Sequence, residues 1–260
     1  NISSFYALTE AISAAISAYQ QALANAERLE FHIKAAPLIA NLGSIAMLVG
    51  DYESARPRLL EAYQRAIDVH DPVTAAEILS MLATLFAELE ADDLALDYCQ
   101  RVLASTAGYH YIPQYNALCT LGHLYRRRGK WDAATDVYQQ SLNLSQGVNR
   151  ATDALICQLY LSAVPLERGQ AAASLVALEP LLATLANTTF AFKQRPQVLF
   201  LIAYQVLAAN QDPRAASMLH QAWDHVQAQA TKIDDPCLRQ TFLTQVPVNR
   251  TLGHLMGVKE

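Results

Sequence analysis

The chain has no cysteine pair at metal-knuckle or redox spacing, no apolar run long enough to cross a bilayer, and no excess of positive charge. Each absence closes off a class of protein. Cys99, Cys119, Cys157 and Cys237 are scattered without a CxxC, so neither a zinc knuckle nor a dithiol centre is encoded, and four buried free thiols are expected. The longest apolar stretches, such as QVLFLIAYQVLAA at 197–209, fall short of the roughly 18–20 residues a spanning helix needs. Against 24 acidic residues stand 19 basic ones, a net charge of −5, so no overall field draws the chain onto nucleic acid or an anionic membrane. A signal-like start is missing, and the first residue is Asn1 rather than methionine; a cytoplasmic fragment or processed product is the expectation. The sequons at Asn143 and Asn187 then read as chance.

Catalytic signatures are missing as well. There is no HExxH and no GxSxG, and His220 and His225 are five residues apart, which does not put them on one helical face. The basic run Arg126-Arg127-Arg128-Gly129-Lys130 invites comparison with a phosphate loop. No glycine introduces it, however, and Trp131 stands where a Ser or Thr would coordinate magnesium. Cations at the end of a helix complement its dipole and free carbonyls, which is the structural reading of the run. Asp92-Asp93 falls at a helix junction, where capping accounts for it. No enzymatic activity, metal or cofactor is expected.

What is present is a repeat. Ala55, Leu59 and Ala62 follow one another at four and three residues, small-large-small on one helical face, and Ala134, Tyr138 and Ser141 do the same. So do Ala95, Cys99 and Val102; Ser174, Leu178 and Leu181; and Ala215, Leu219 and Ala222. The leading small residues recur every 39 to 41 residues. Ala15, Tyr19 and Ala22 extend the register backwards as the second half of a unit. Upstream of each, a second segment carries a large residue then a small one: Leu42-Gly43, Leu82-Ala83, Leu121-Gly122, Leu161-Ser162 and Ile202-Ala203. A small residue lets a neighbouring helix approach closely. Gly50, Gly129 and Gly169 sit where the first helix of a unit should stop, in the left-handed conformation glycine accepts. Pro72 and Pro213 are expected one or two residues into helices. No period-two run long enough for a sheet interrupts the series.

Leu121, Gly122, Tyr125, Gly129, Trp131, Ala134, Tyr138, Ser141 and Leu142 keep the order and offsets of the tetratricopeptide repeat, which the chain resembles. Leu42, Gly43, Gly50, Tyr52, Ala55, Leu59 and Ala62 match nearly as well, whereas the last two units keep only the helical rhythm. That family's period is about 34 residues, so forty implies longer helices or longer connections, as in the variant resembling helical arms of large bacterial regulators similar to the maltose-operon activator and related ATPases. The stretch IDDPCLRQTFLTQVPVNRTL at 233–252 looks like the closing segment of such arms. The resemblance implies an all-α, right-handed superhelical solenoid of about five antiparallel helix pairs. Its expected divisions are a half repeat at 1–29, repeats at 30–70, 71–108, 109–147, 148–189 and 190–232, and a C-terminal cap at 233–260.

In this family the first helices line the concave face, which implies groove positions at Ser44, Met47, Ser80, Thr84, Asn116, Cys119, His123, Arg126, Arg127 and Tyr204. The aromatic cluster GYHYIPQY at 108–115 is expected to pack on the preceding unit, with partner contact as the alternative. The function implied is a non-catalytic scaffold, the regulatory arm of a larger bacterial signalling or transcription protein, binding a protein, peptide or small effector. Self-association, or packing on the parent's own switch domain, is the alternative. An RNA-binding repeat is the more distant one, because its basic groove is missing.

Overall fold

A computed structural model describes residues 12–105 and 111–258. Among these residues every regular element is helical: α1 (Ile12–Arg28), α2 (His32–Leu48), α3 (Tyr52–Asp68), α4 (Pro72–Glu88), α5 (Asp92–Ser105), α6 (Tyr111–Arg127), α7 (Trp131–Gly147), α8 (Ala151–Glu167), α9 (Ala171–Asn187), α10 (Pro196–Ala209), α11 (Ala215–Ala230), α12 (Pro236–Gln245) and α13 (Pro247–Leu255), with one 3-10 turn at Phe192–Gln194. The chain forms two compact units, one of residues 1–117 with 229–247, the other of residues 118–228 with 248–260. In the first, α1 packs on α2, α2 on α3, α3 on α4 and α4 on α5; in the second, α7, α8, α9 and α10 pack in sequence. The boundary expected between the repeats at 71–108 and 109–147, like Tyr109 of the aromatic cluster, lies outside the described residues.

The forty-residue period comes from longer helices, not longer connections. Eight helices, α1 to α4 and α6 to α9, are each 17 residues long. From α1 to α5 and again from α6 to α9, three residues separate each helix from the next. Those three residues do the same thing each time. The middle one is left-handed: Glu30, Gly50, His70, Glu90, Gly129, Asn149 and Gly169 all have φ between 55° and 82°, and Gln211, second in the five-residue turn before α11, is left-handed too. The residue after it donates its N–H back five residues, as Asp51 does to the Ala46 carbonyl at 2.9 Å and Lys130 to that of Tyr125 at 2.8 Å. This closes the helix in a Schellman turn. The same residue then starts the next helix. Asp51 and Asp71 do so with their carboxylates accepting from the N–H groups of Ser54 and Thr74 at 3.1 and 3.0 Å. Asp92 and Asp93 lie in the first turn of α5, where negative charge meets the positive end of the helix dipole.

Packing follows the small-large-small pattern in three of the units. Ala55, Leu59, Ala62, Ala95, Cys99, Val102, Ala134, Tyr138 and Ser141 are all fully buried. The large residue of each second helix fits over the small one of the first: a methyl added to Gly43 would lie 2.9 Å from Leu59, and one added to Gly122 would fall inside the Tyr138 ring. The last units differ. Leu178 and Leu185 are the buried leucines of α9, while Leu181 is half-buried. In α11 Met218, Ala222 and Val226 are buried, with Gln229 and Ala230 at its end, while Ala215 and Leu219 are only half-buried. The helix begins at Ala215 because Asp212, Pro213 and Arg214 stay in the turn. Pro213 is therefore a turn residue, whereas Pro72 is the first residue of α4.

The closing segment splits. Its helix α12 belongs with the first unit, where the Thr241 carbonyl oxygen and the Val246 Cγ2 would each be 3.1 Å from a methyl added to Gly50. Ile233, Phe242 and Val246 are buried, and Val49 and Gly50 beneath them are buried too, whereas Glu90, Gly129 and Gly169 at the equivalent turns are exposed. Helix α13 belongs with the second unit.

Candidate partner-binding face

The expected groove residues fall into three groups. Ser44 on α2, Thr84 on α4, Asn116 on α6 and Tyr204 on α10 are half-buried, and Arg127 at the end of α6 is exposed. Met47, Ser80 and Cys119 are buried, so they are not open to a partner. The Ser80 hydroxyl donates to the Glu77 carbonyl of its own helix at 2.7 Å, and the Cys119 sulfur lies 3.4 Å from the Ser141 hydroxyl oxygen. Cys119 thus sits on the side of α6 that meets the second helix of its unit. In the third group, His123 and Arg126 belong to an internal polar cluster.

That cluster is built by α6, α7 and α8. His123 Nδ1 lies 2.9 Å from the Tyr138 hydroxyl, and its ring meets the edge of Tyr160 at 4.6 Å between centroids. Tyr138 and Tyr160 are 5.3 Å apart. Arg126 Nε donates to Glu167 at the end of α8 at 3.0 Å, and its Nη2 donates to the same carboxylate oxygen. Burial, and then the charges of Arg126 and Arg127, push the His123 imidazole down to about 3. Burial likewise holds the Tyr138 and Tyr160 phenols above their ordinary value. Burial disfavours the Arg126 cation, but the hydrogen bond to Glu167 and the Tyr138 contact outweigh it, and its pKa is raised. His123 is therefore neutral and Arg126 charged at neutral pH. The guanidinium of Arg126, one of the implied groove positions, is engaged by Glu167.

Glu167 and Tyr160 escaped the reading of the sequence, yet one signal pointed to Glu167. It stands 41 residues after Arg126, one period on. Other polar links have nearly the same offset: Arg65 to Glu27, 38 residues; Arg101 to the Tyr63 hydroxyl, 38; Arg168 to Asp132, 36; Arg214 to Glu179, 35. A search for opposite charges 35 to 41 residues apart would find all of them but the Tyr63 link.

Cys99, Cys119 and Cys157 are buried free thiols, Cys99 pushed up to about 12 by burial. Cys237 departs from expectation, being exposed in the first turn of α12. In the aromatic cluster, Tyr115 is buried and stacks on Tyr111 at 5.6 Å. Among the described residues, no group of three or more His, Cys, Asp or Glu side chains could hold a metal ion, and no helix is long and apolar enough to cross a membrane.

Antiparallel helix pairs, most of 17 residues per helix, closed by like turns and packed large on small, define a helical-repeat fold. Residues 119–152, the end of α6 with α7 and the turn after it, match the family profile described as Tetratricopeptide repeat. Two solved structures share the fold. One is BtubC from P. vanneervenii, 19% identical with a TM-score of 0.63, the match covering 85% of this chain and 92% of that one. The other is a Rap protein complexed with competence and sporulation factor, 13% identical with a TM-score of 0.66, covering 94% of this chain and 69% of that one. No curated protein sequence matches the chain significantly.

Proposed function

We propose that the chain is a non-catalytic interaction or effector-sensing scaffold that takes a peptide or protein segment along the first helices of its repeats. The observation that carries this reading is the face shared by α2 and α4. Lys34, Asn41 and Ser44 on one helix, and Thr74, Glu77, Met81 and Thr84 on the other, recur at helical spacing and stay half-buried or exposed, although the two helices pack side by side. Side chains left over after packing, polar and of mixed type, suit a bound segment. The Rap structure, solved with a bound factor, supports ligand capture by this fold. The setting we propose is the cytoplasmic regulatory arm of a larger bacterial signalling or transcription protein.

A photo-crosslinking residue placed in turn at Ser44, Thr84 and the exposed Arg56 on α3 tests the face in living cells. Discrete adducts from Ser44 and Thr84 but none from Arg56 are expected. Equal labelling at all three sites would remove the reading. A second reading, self-association, is favoured by Leu29, Phe31 and Ile33, which are 53, 58 and 54% exposed at the turn between α1 and α2. Adducts formed only between two copies of the chain would select it.

A further inference from the structure

Helix α13 lies on the first helix of the last repeat, and its hold there is incomplete. Gln197 stands seven residues before Tyr204 on the same face of α10, the position that Asn116 holds in α6 relative to His123. Asn116 is half-buried. Gln197 is 1% exposed, and its Nε2 donates to Asn249 Oδ1 of α13 at 3.1 Å. The other half of its amide is not satisfied: no donor among the described residues reaches Gln197 Oε1, although the atom is buried. A buried carbonyl without a donor is a standing cost. The apolar contribution of α13 is small. Of its nine residues only Asn249 and Leu252 are buried, Leu255 is 44% exposed, and the Trp223 ring approaches it at Gly253.

We propose that α13 is a tethered, displaceable occupant of the ligand-facing side of the fifth repeat, and that its competitor is a peptide segment. A peptide unit carries an N–H donor and a carbonyl acceptor side by side. It therefore meets both atoms of the Gln197 amide, where α13 meets one. Such a competitor gains what α13 leaves unmade, and while α13 is docked the repeat presents only a fraction of its binding-competent state. The inference rests on the reading of the first helices as the binding face, and adds to it a built-in regulator.

The test uses the full chain and a labelled synthetic peptide with the sequence of residues 246–258, read by fluorescence anisotropy. Asn249→Ala in the chain weakens the tethered copy and should tighten peptide binding at least tenfold over wild type. Adding Gln197→Ala to that variant should remove the gain. Equal affinity for wild type and Asn249→Ala, or a gain that survives Gln197→Ala, overturns the proposal. Hydrogen exchange on the unmodified chain provides a measure that needs no variant. Amides at 249–255 should exchange at least tenfold faster than those at 199–207. Matching rates would make α13 an integral cap and overturn the proposal equally. The crosslinks from Ser44 and Thr84 are read in the first unit, so losing either proposal does not decide the other.

Discussion

At Gly122 the large-on-small packing leaves no room at all, because an added methyl would occupy the space of the Tyr138 ring. Tyr138 is fully buried and hydrogen-bonded to His123, so it has nowhere to retreat. Gly122→Ala should lower stability by about 1–3 kcal/mol, read as a fall in the urea midpoint. Gly147→Ala is the control: nothing lies within 4 Å of the added atom, and stability should hold or rise by up to about 1 kcal/mol. His123 makes a second prediction. It takes up a proton at about 3 in the folded protein against 6.5 ordinarily, so between those values the unfolded chain binds the extra proton. Stability is then lost as pH falls from about 6.5 towards 3, at up to about 1.4 kcal/mol per pH unit. His225, also lowered by burial, acts in the same direction. His123→Gln should flatten the curve of urea midpoint against pH between 7 and 5; a curve parallel to wild type would show that this histidine is not its source.

Turns that look alike in the sequence differ as elements. Gly50 and Gly169 are both left-handed, with φ of 82° and 77°, but Gly169 faces open space while Gly50 lies under the backbone of α12. Gly169→Ala should cost about 1 kcal/mol, the strain of the left-handed region alone. Gly50→Ala should cost clearly more and raise the susceptibility of 233–246 to protease, because Thr241, Gln245 and Val246 would have to move. Helix pairs were legible wherever small and large residues alternate at fixed offsets, as at Gly43 and Leu59. The rhythm misled at α11, where three turn residues shifted burial from Ala215, Leu219 and Ala222 to Met218, Ala222 and Val226. It also could not show that α12 packs on a turn about 190 residues before it, because that contact has no periodic signature.

At the scale of the whole molecule, twenty residues is the unit through α1–α4 and α6–α9: a 17-residue helix and a three-residue turn, used twice per repeat. The candidate site was legible only in part for the same reason. Ser44 and Thr84 could be placed from register alone, but the fate of Arg126 depended on a carboxylate 41 residues away. The repeated turn carries a further consequence. Counting the longer turn before α11, five of the eight left-handed turn positions hold a residue other than glycine: Glu30, His70, Glu90, Asn149 and Gln211. Each holds about 1–2 kcal/mol of strain, of which glycine would return part after its own loss of chain entropy. Changing each to glycine should raise the melting temperature, least at Asn149, and the gains should add wherever two turns share no partner. The scaffold could thus be made in a graded series of thermal stabilities while Ser44, Thr84 and the rest of the first-helix face stay untouched.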